Sequence, residues 1–441
     1  MSYRQPGSTM KPMGVYAPAL EKGIITAATT YDNAPTTFKV GASSWTPKNS
    51  PNTYGGMTSI RKAIASSINV VAAKTFFDLG AAASRNFVMK LGITSLTSND
   101  LYPATLALGG LTKGICPIEH AGAYSTFANG GIYIEPKLYT KVVARNGETV
   151  LEKISEVRQV MSKQNAYILT SMMRDGVTSG TGTEARIGSM PVAGKTGTTN
   201  DNYDRWFAGF TPYYEGSVWV GYDIQKKISV SGNPASRIWR GVMSKVHEGL
   251  EVKEFTKPTG IVTTAVCADS GLLATDLCKN DRRGSRVKTE IFASGTVPTQ
   301  YCTMHVTAEV CPDSLKLMTP ECYSATHAIS IVCIDKGEKG TPNTQPGDYA
   351  YMVPTEYCTY HGGIQDENGN WVVPEDMDID IEDYNQMNTG NNSNTNNTNN
   401  QGETTSTTTN NNNTTPSTSS STSSGAYLDV NGVPDWISNS R

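Results

Sequence analysis

The segment from about residue 388 to 424 limits how much of this 441-residue chain can fold, because it consists almost entirely of Asn, Thr, Ser and Gly. Such a tract has too few apolar side chains to offset the entropy lost when the backbone is ordered. Residues 375–383, just before it, carry six acidic side chains, which favours a solvated lead-in over a cation site. We therefore expect an acidic, then low-complexity disordered segment over residues 376–424, followed by a C-terminal tail of unassigned role over residues 425–441.

The rest of the chain changes composition near residue 250. Residues 1–250 alternate helix-like and strand-like patterns, whereas residues 251–375 are rich in Cys, Pro and Thr and have short apolar runs. This division predicts a large α+β domain followed by a small β-rich extension. The net charge is −3 and no Lys/Arg cluster stands out, which argues against nucleic acid as a partner.

The first of three motifs with candidate catalytic residues is Pro6-Gly7-Ser8-Thr9-Met10-Lys11. Residues three apart lie on one face of a helix, so Ser8 and Lys11 can point together. A serine hydroxyl becomes an effective nucleophile when a neighbouring base takes its proton. Burial or nearby positive charge keeps a lysine neutral, so that it can act as that base. Taken alone, the spacing also fits an ordinary helix turn.

The second motif is Ser67-Ile68-Asn69, which lies between two segments with helix-like spacing, the second closed by Gly80. Residues two apart point in nearly opposite directions on a helix but in the same direction on extended backbone. Ser67 and Asn69 can therefore serve one site only if they lie on a joint between the two helices.

The third motif is Lys195-Thr196-Gly197-Thr198. In a strand, Thr196 and Thr198 share one face and Lys195 points to the other. Gly197 has no side chain, so a substrate or another backbone can approach it closely. The alternative is a turn-rich strand without a binding role.

Together, the order and wide spacing of these motifs resemble the transpeptidase domain of class A penicillin-binding proteins. The resemblance covers residues 4 to about 250 and includes Arg4-Gln5-Pro6-Gly7-Ser8 and residues 178–183, 198–201 and 204–212. It implies a penicillin-binding/β-lactamase-like α+β fold, with an antiparallel sheet flanked by helices. The family places a membrane anchor, a glycosyltransferase domain and further strands before the S-x-x-K helix. Because seven residues precede Ser8, we expect a C-terminal fragment that lacks the N-terminal strands, the anchor and the glycosyltransferase domain.

The resemblance also implies a role for each motif residue. Ser8 would attack the penultimate D-alanine of a stem peptide, Lys11 would take its proton, and Ser67 would relay a proton to the leaving amine. Asn69 would bind the substrate amide, Lys195 would supply positive potential, and the backbone N–H groups of Ser8 and Thr198 would form the oxyanion hole. The implied catalytic residues are Ser8, Lys11, Ser67, Asn69 and Lys195, and the implied substrate-binding residues are Thr196, Gly197 and Thr198.

The implied function is a serine-type D-Ala-D-Ala transpeptidase that cross-links peptidoglycan at the extracytoplasmic face of the bacterial cell membrane. Stem peptides would be its substrates and β-lactam antibiotics its inhibitors, and no cofactor is needed. One alternative is a D,D-carboxypeptidase or β-lactamase on the same fold. A β-lactamase needs a base that activates water, a role that a glutamate fills in class A enzymes. Six glutamates lie between the second and third motifs, but none sits in a recognisable pattern: Glu119, Glu135, Glu148, Glu152, Glu156 and Glu184. Another alternative is an inactive fragment that binds the wall through its extension.

Other residues have simpler interpretations. The five histidines fit no Ser-His-Asp pattern, and His120 and His247 are expected to be structural or surface residues. Trp206, Phe207 and Phe210 are expected to form the core of a strand rather than to line a substrate groove.

The extension contains an internal repeat, in which each unit supplies three cysteines and one histidine. The two sets are Cys267, Cys278, Cys302 and His305, then Cys311, Cys322, Cys358 and His361. Three thiolates and one imidazole can bind zinc, but the ten-residue gap between the first two cysteines is longer than usual in zinc sites. In an extracytoplasmic protein we favour disulfides, Cys267–Cys278 and Cys311–Cys322, over zinc. Reduced structural thiols are a third alternative.

Overall fold

The computed structural model describes residues 2–319, 322, 328–337, 344, 346–359, 361, 364–365 and 371–372. These residues belong to one compact unit, Met1–Asp376. The segments expected over residues 376–424 and 425–441 lie outside the described residues, and the domain boundaries at 250 and 375 stay predictions. Within the described part, no helix combines the length and apolar character needed to span a bilayer.

Most helices lie in the first 250 residues, and their ends follow local sequence signals. The Ser59 and Ser162 side chains accept hydrogen bonds from the first turns of α2 and α7, and Asn233 does the same for α8. Gly80, with φ +82°, ends α3. The α-helices of the described residues are α1 (Ala17–Glu21), α2 (Ile60–Ala65), α3 (Asn69–Leu79), α4 (Ala81–Lys90), α5 (Pro103–Leu106), α6 (Pro117–Ala128), α7 (Lys163–Thr178), α8 (Pro234–Val246) and α9 (Asp276–Lys279).

The strands pair in small antiparallel sheets. In the described chain they are β1 (Thr30–Asn33), β2 (Phe38–Val40), β3 (Ser43–Trp45), β4 (Gly56–Ser59), β5 (Ile132–Ile134), β6 (Lys141–Val143), β7 (Thr149–Glu152), β8 (Val157–Gln159), β9 (Ala193–Thr198), β10 (Asp204–Phe210), β11 (Glu215–Gly221), β12 (Ile261–Cys267), β13 (Val287–Ala293), β14 (His305–Val310), β15 (Ile329–Ile334), β16 (Ile364–Gln365) and β17 (Trp371–Val372). The central sheet has the order β11-β10-β9, and the other pairs are β1-β4, β2-β3, β5-β8, β6-β7, β12-β13, β14-β15 and β16-β17.

The central sheet has a helix packed on each face. Adjacent residues of β10 point to opposite faces, so each of them meets a different helix. The Trp206 ring packs edge-on against His120 of α6, whereas the next residue, Phe207, packs against Trp239 of α8. Trp206, Phe207 and Phe210 are fully buried, so the expectation that they form strand core is confirmed. The expected α+β architecture, an antiparallel sheet flanked by helices, is also confirmed.

The predicted extension, residues 251–375, contains the two hairpins β12-β13 and β14-β15. The first hairpin contacts the large domain through Arg61 of α2, which donates hydrogen bonds of 2.7 and 2.5 Å to the two carboxylate oxygens of Glu290 in β13. Arg61 also donates a 2.8 Å bond to Asp175 of α7. One guanidinium therefore joins two helices of the large domain to the β-rich extension.

Candidate active site

Ser8 lies in a tight helical turn at the start of a longer helical segment. A 3₁₀ turn, Gly7–Thr9, is followed by Met10 and Lys11 and then by a π-helical segment, Pro12–Tyr16, that continues into α1. π-Helical segments are rare and often occur at functional sites. Ser8 is half-buried, whereas residues 9–20, which follow it, are buried. Ser8 is therefore more accessible than the helical residues that follow it.

Lys11 is fully buried below Ser8 and faces the joint between α2 and α3. Its Nζ donates hydrogen bonds of 2.6 Å to the Ser67 carbonyl and 2.6 Å to Asn69 Oδ1, and lies 3.4 Å from Ser67 Oγ. Burial, reinforced by the nearby Lys195, holds the pKa of the Lys11 amine well below its ordinary value. In the described part of the chain, no hydrogen bond joins the Ser8 hydroxyl to Lys11.

Ser67 and Asn69 occupy the joint between helices that their spacing predicts. α2 ends at Ala65 and α3 begins at Asn69. Ser67 has φ +57°, a left-handed conformation that costs a residue with a side chain about 1–3 kcal/mol. The sharp turn at Ser67 directs its carbonyl oxygen and the Asn69 amide at the same lysine nitrogen.

Asn49 holds this joint in place and was missed by the sequence analysis. Its side-chain oxygen accepts hydrogen bonds from the backbone N–H groups of Asn69 (3.0 Å) and Val70 (3.2 Å), at the first turn of α3. Its amide nitrogen donates to Asn33 Oδ1 (2.7 Å) and the Thr53 carbonyl (2.8 Å). Asn49 thus caps α3 from 20 residues away. Helix caps are recognised in a sequence from the residues next to the start of the helix, so Asn49 could not be found in this way.

Lys195 lies in β9 and is 2 % exposed. It is paired with Ala208 of β10, which puts it on the face of the sheet that carries Trp206 and the Ser8 helix. Its Nζ donates a 3.1 Å hydrogen bond to the Thr196 carbonyl. Burial lowers the pKa of Lys195 to about 7, so a negatively charged group bound beside it would restore its positive charge.

Thr196 and Thr198 lie on the opposite face of β9 and differ in exposure. The Thr196 hydroxyl is 2.8 Å from the hydroxyl of Thr181, while Thr198 is exposed and accepts a 3.3 Å hydrogen bond from Arg205. Thr181 lies within residues 178–183, which contribute to the family resemblance, but the sequence analysis assigned no role to it. Its backbone N–H donates to the Ala65 carbonyl at 3.1 Å, which ties it to the end of α2.

Two glycines allow the Ser8 turn to lie directly against β9. A Cβ added to Gly197 would lie 2.3 Å from the Pro6 carbonyl oxygen, and one added to Gly7 would lie 2.5 Å from the Thr198 carbonyl oxygen. Gly7 also has φ +54°, which favours glycine. The close approach expected at Gly197 is therefore made by the protein's own backbone, next to Ser8.

The remaining candidate residues lie elsewhere. His120 Nδ1 is 2.5 Å from Ser217 Oγ, and burial lowers the pKa of its ring to about 3. His247 bonds Thr211 and the Met243 carbonyl, so both histidines are structural, as expected. In the described chain, none of the six glutamates between the second and third motifs hydrogen-bonds to Lys11, Ser67, Asn69 or Lys195.

The cysteines differ from the expectation. Neither Cys267–Cys278 nor Cys311–Cys322 is a disulfide in this structure, and all eight cysteines are buried, so the preferred disulfide prediction is wrong. The physical reason is that each pair shares its surroundings with a third cysteine and a histidine. The ligand atoms of Cys267, Cys278, Cys302 and His305 lie within 4.8 Å of one another, as do those of Cys311, Cys322, Cys358 and His361.

Two family models match the chain. The model of the penicillin-binding protein transpeptidase domain matches residues 2–243, and that of the C-terminal domain of penicillin-binding protein 1A matches residues 257–307. The first match includes all three motifs. The second match includes the first cysteine set.

Among curated relatives, penicillin-binding protein 1A of Clostridium botulinum (strain Hall) is 40% identical over 314 residues, covering 70% of this chain and 38% of the relative. Penicillin-binding protein 1A of Neisseria meningitidis serogroup B is 35% identical over 273 residues, covering 59% of this chain and 34% of the relative. The chain thus spans little more than a third of the length of the curated relatives it matches.

Solved structures give the same result for the fold. Penicillin-binding protein 1A from Haemophilus influenzae superposes with a TM-score of 0.58 at 25% identity, covering 68% of this chain and 49% of that one. The penicillin-binding protein PonA1 from Mycobacterium tuberculosis superposes with a TM-score of 0.50 at 26% identity, covering 58% and 72%. The expected penicillin-binding fold is confirmed.

Proposed function

Because this chain belongs to the penicillin-binding protein transpeptidase family, we propose that it is a serine acyltransferase that cross-links peptidoglycan stem peptides ending in D-Ala-D-Ala. The observation that carries the proposal is the hydrogen bonding of Lys11. A neutral amine has two N–H groups, and the short bonds to the Ser67 carbonyl and Asn69 Oδ1 use both. The nitrogen lone pair is then left to accept a proton from a serine hydroxyl.

In the first half-reaction, Ser8 Oγ attacks the carbonyl carbon of the penultimate D-alanine. Its proton passes to Lys11, whose lowered pKa supplies the neutral form required. As the peptide C–N bond breaks, Ser67 Oγ, 3.4 Å from Lys11 Nζ, relays a proton to the leaving amine. The products are free D-alanine and an ester between Ser8 and the stem peptide.

The terminal carboxylate of the donor peptide would bind at β9. Lys195 supplies positive potential there, and the carboxylate in turn favours the protonated lysine. Thr196 and Thr198 donate hydrogen bonds, and Gly197 keeps the strand close to the Ser8 turn. The contact between Gly7 and Thr198 supports an oxyanion hole formed by the backbone N–H groups of Ser8 and Thr198.

In the second half-reaction, the amine of another stem peptide attacks the ester carbon. A new amide bond forms, the bond to Ser8 Oγ breaks, and the proton lost by the amine returns to the serine through Lys11. Asn69 binds the amide of the peptide backbone during both steps. We propose that the working site lies at the extracytoplasmic face of the cell membrane, where peptidoglycan is assembled, and that β-lactams are its inhibitors.

Acylation by labelled penicillin, followed by peptide mass spectrometry, tests the proposal. We expect the label on Ser8 and on no other residue, and no label on the Ser8→Ala variant. Ser270→Ala, which changes a serine in the extension, is the matched control and should label fully. Label on another serine, or full labelling of Ser8→Ala, would disprove the assignment.

The lifetime of the acyl-enzyme separates the transpeptidase from the hydrolases. A long-lived penicilloyl adduct is expected, because none of the described glutamates between the second and third motifs hydrogen-bonds to Lys11, Ser67, Asn69 or Lys195. Rapid turnover of penicillin would instead indicate a β-lactamase. Formation of a dimeric cross-linked product from stem peptides, rather than release of D-alanine alone, distinguishes the transpeptidase from a carboxypeptidase.

A further inference from the structure

We propose that each of the two cysteine–histidine modules of the extension binds one zinc ion. The first module has Cys267, Cys278, Cys302 and His305, and the second has Cys311, Cys322, Cys358 and His361. All eight side chains are buried, and each module brings four ligand atoms within 4.8 Å of one another. Three thiolates and one imidazole form a common tetrahedral zinc site of the structural kind.

The distances between ligand atoms fit a shared central ion. A tetrahedral zinc with bonds of about 2.3 Å to sulfur and 2.05 Å to nitrogen places a sulfur and a nitrogen about 3.6 Å apart. In the first module, His305 Nδ1 is 3.5 Å from Cys267 Sγ and 3.3 Å from Cys302 Sγ. In the second, His361 Nδ1 is 3.5 Å from both Cys311 Sγ and Cys358 Sγ. Each imidazole thus faces two sulfurs at nearly equal distances, which a disulfide does not require.

The outer nitrogen of each histidine meets a carboxylate. His305 Nε2 is 2.8 Å from Asp281 Oδ2, and His361 Nε2 is 3.0 Å from Asp313 Oδ2. A carboxylate there holds the proton on Nε2, so that Nδ1 carries the lone pair that a metal needs. Metal-bound histidines almost always have such a support.

The carboxylates of the first module are themselves held in place. Arg283 bonds both Asp281 (2.7 Å) and Asp269 (2.6 Å), and Arg286 bonds Asp269 at 2.6 Å. Three thiolates around a divalent cation leave one net negative charge, which these arginines help to balance. Asp269 and Asp313 occupy the same position of the repeat, two residues after its first cysteine. The sequence analysis assigned no role to either aspartate.

Hydrogen-bond donors also point at the sulfurs. The backbone N–H groups of Asp269 and Ser270 lie 3.4 and 3.5 Å from Cys267 Sγ. The Thr275 hydroxyl is 3.4 Å from Cys278 Sγ, and its counterpart, the Thr319 hydroxyl, is 3.3 Å from Cys322 Sγ. Such contacts to the sulfurs are the kind of hydrogen-bonded surroundings that support the ligands of a metal site.

The ten-residue gap that weighed against zinc is explained by the folding of the chain. After Cys267 the backbone reverses, since Gly271 N donates to the Cys267 carbonyl at 2.9 Å, and α9 then carries Cys278 back to the end of β12. In the second module, Leu315 N donates to the Cys311 carbonyl at 2.8 Å, so the chain reverses in the same way.

The third cysteine of each module is also held in the same way. Cys302 N donates to the Leu273 carbonyl and Cys358 N donates to the Leu317 carbonyl, each at 2.8 Å. The repeat therefore builds the same ligand cradle twice.

Metal analysis of the whole protein, purified without added chelator or reductant, tests the proposal. We expect two zinc ions per chain, with no disulfide found by non-reducing peptide mapping. Cys302→Ser should lose one zinc, Cys358→Ser should lose one, and the double variant should lose both. Cys333→Ser, which changes a buried cysteine outside both modules, is the matched control and should keep two.

Replacement of zinc by cobalt in the unsubstituted protein provides a readout that does not depend on whether a variant folds. We expect thiolate-to-cobalt charge transfer and the intense visible bands of a tetrahedral site, in proportion to two ions per chain. Fewer than two ions at saturation, a Cys267–Cys278 disulfide, or a zinc content unchanged in the Cys302→Ser and Cys358→Ser double variant would overturn the proposal. An octahedral cobalt spectrum would do the same.

Discussion

Lys11 Nζ donates a 2.6 Å hydrogen bond to Asn69 Oδ1, which connects the helix that carries Ser8 to the first residue of α3. The same nitrogen bonds the Ser67 carbonyl at 2.6 Å. A buried amine with two short acceptors is fixed in position. One hydrogen bond therefore aligns Lys11, the proposed proton acceptor for Ser8, with the Asn69 side chain, which is proposed to bind the substrate amide.

Replacing Lys11 with methionine should remove acylation but leave the protein folded. The change deletes the proposed general base while keeping an unbranched side chain of similar length, and general-base catalysis contributes about 10²–10⁴-fold. We expect the rate of acylation by penicillin to fall by that factor, with no loss of thermal stability. Lys113→Met, which changes an exposed lysine, is the control. A decrease of less than about tenfold would mean that another group is the base.

The stability of the protein should rise with pH between about 7 and 10.5 because of Lys195. Burial lowers the pKa of Lys195 from 10.5 to about 7, so in this interval the unfolded chain binds a proton that the folded protein does not. The penalty on the stability of the folded protein is largest below pH 7 and amounts to roughly 5 kcal/mol. Lys195→Met should remove it, so the variant should be more stable than the wild type at pH 7, and the difference should shrink toward pH 10. Denaturant unfolding at several pH values measures this, and a difference that does not change with pH would refute it.

Asn49→Ala should destabilise the joint between α2 and α3. The variant loses the cap that accepts from Asn69 N and Val70 N, and loss of such a cap costs about 1 kcal/mol. We also expect slower acylation, because Asn69 is no longer held toward Lys11. Asn49→Asp keeps the accepting oxygen but loses the amide nitrogen that donates to Asn33 and Thr53, so it should recover only part of the stability. Equal unfolding temperatures and acylation rates for Asn49→Ala and the wild type would contradict the positioning role.

Arg61→Ala should weaken the attachment of the extension. It leaves the Glu290 carboxylate, whose side chain is 7 % exposed, without its two guanidinium bonds, and removal of one member of a buried ion pair costs about 3–5 kcal/mol. Because Arg61 is itself 23 % exposed, we expect the lower end of that range in the free energy of unfolding. Arg174→Ala, whose pair with Glu254 is 42 % and 66 % exposed, is the control and should cost less than about 1 kcal/mol. Equal effects of the two substitutions would show that burial does not distinguish these pairs.

The sequence predicted those parts of the fold and the site that depend on local spacing. Ser8 and Lys11 share a helical segment because they are three residues apart, and Ser67 and Asn69 lie at a joint because two helical patterns meet there. The expectation that Trp206, Phe207 and Phe210 form strand core was also correct. The family resemblance supplied the roles, which no spacing could provide.

Residues that act from a distance in the chain could not be predicted. Asn49 carries no signal of its own, since it caps a helix that begins 20 residues later. The contact of Arg61 with Glu290 joins residues 229 positions apart. Neither contact exists until the chain has folded, because each depends on the packing of several elements at once.

The cysteine repeat shows most directly where sequence and tertiary structure divide. The residues alone determined that two similar units exist and that each supplies three thiols and one imidazole. They did not determine whether the thiols would pair or converge, because a ten-residue gap permits a disulfide, a metal site or separate thiols. Tertiary structure decided this, by reversing the chain after Cys267 and Cys311 and returning a distant histidine to the same point. Likewise the sequence provided Lys11 and Lys195, but their lowered pKa values come from burial, a property that the folded protein alone has.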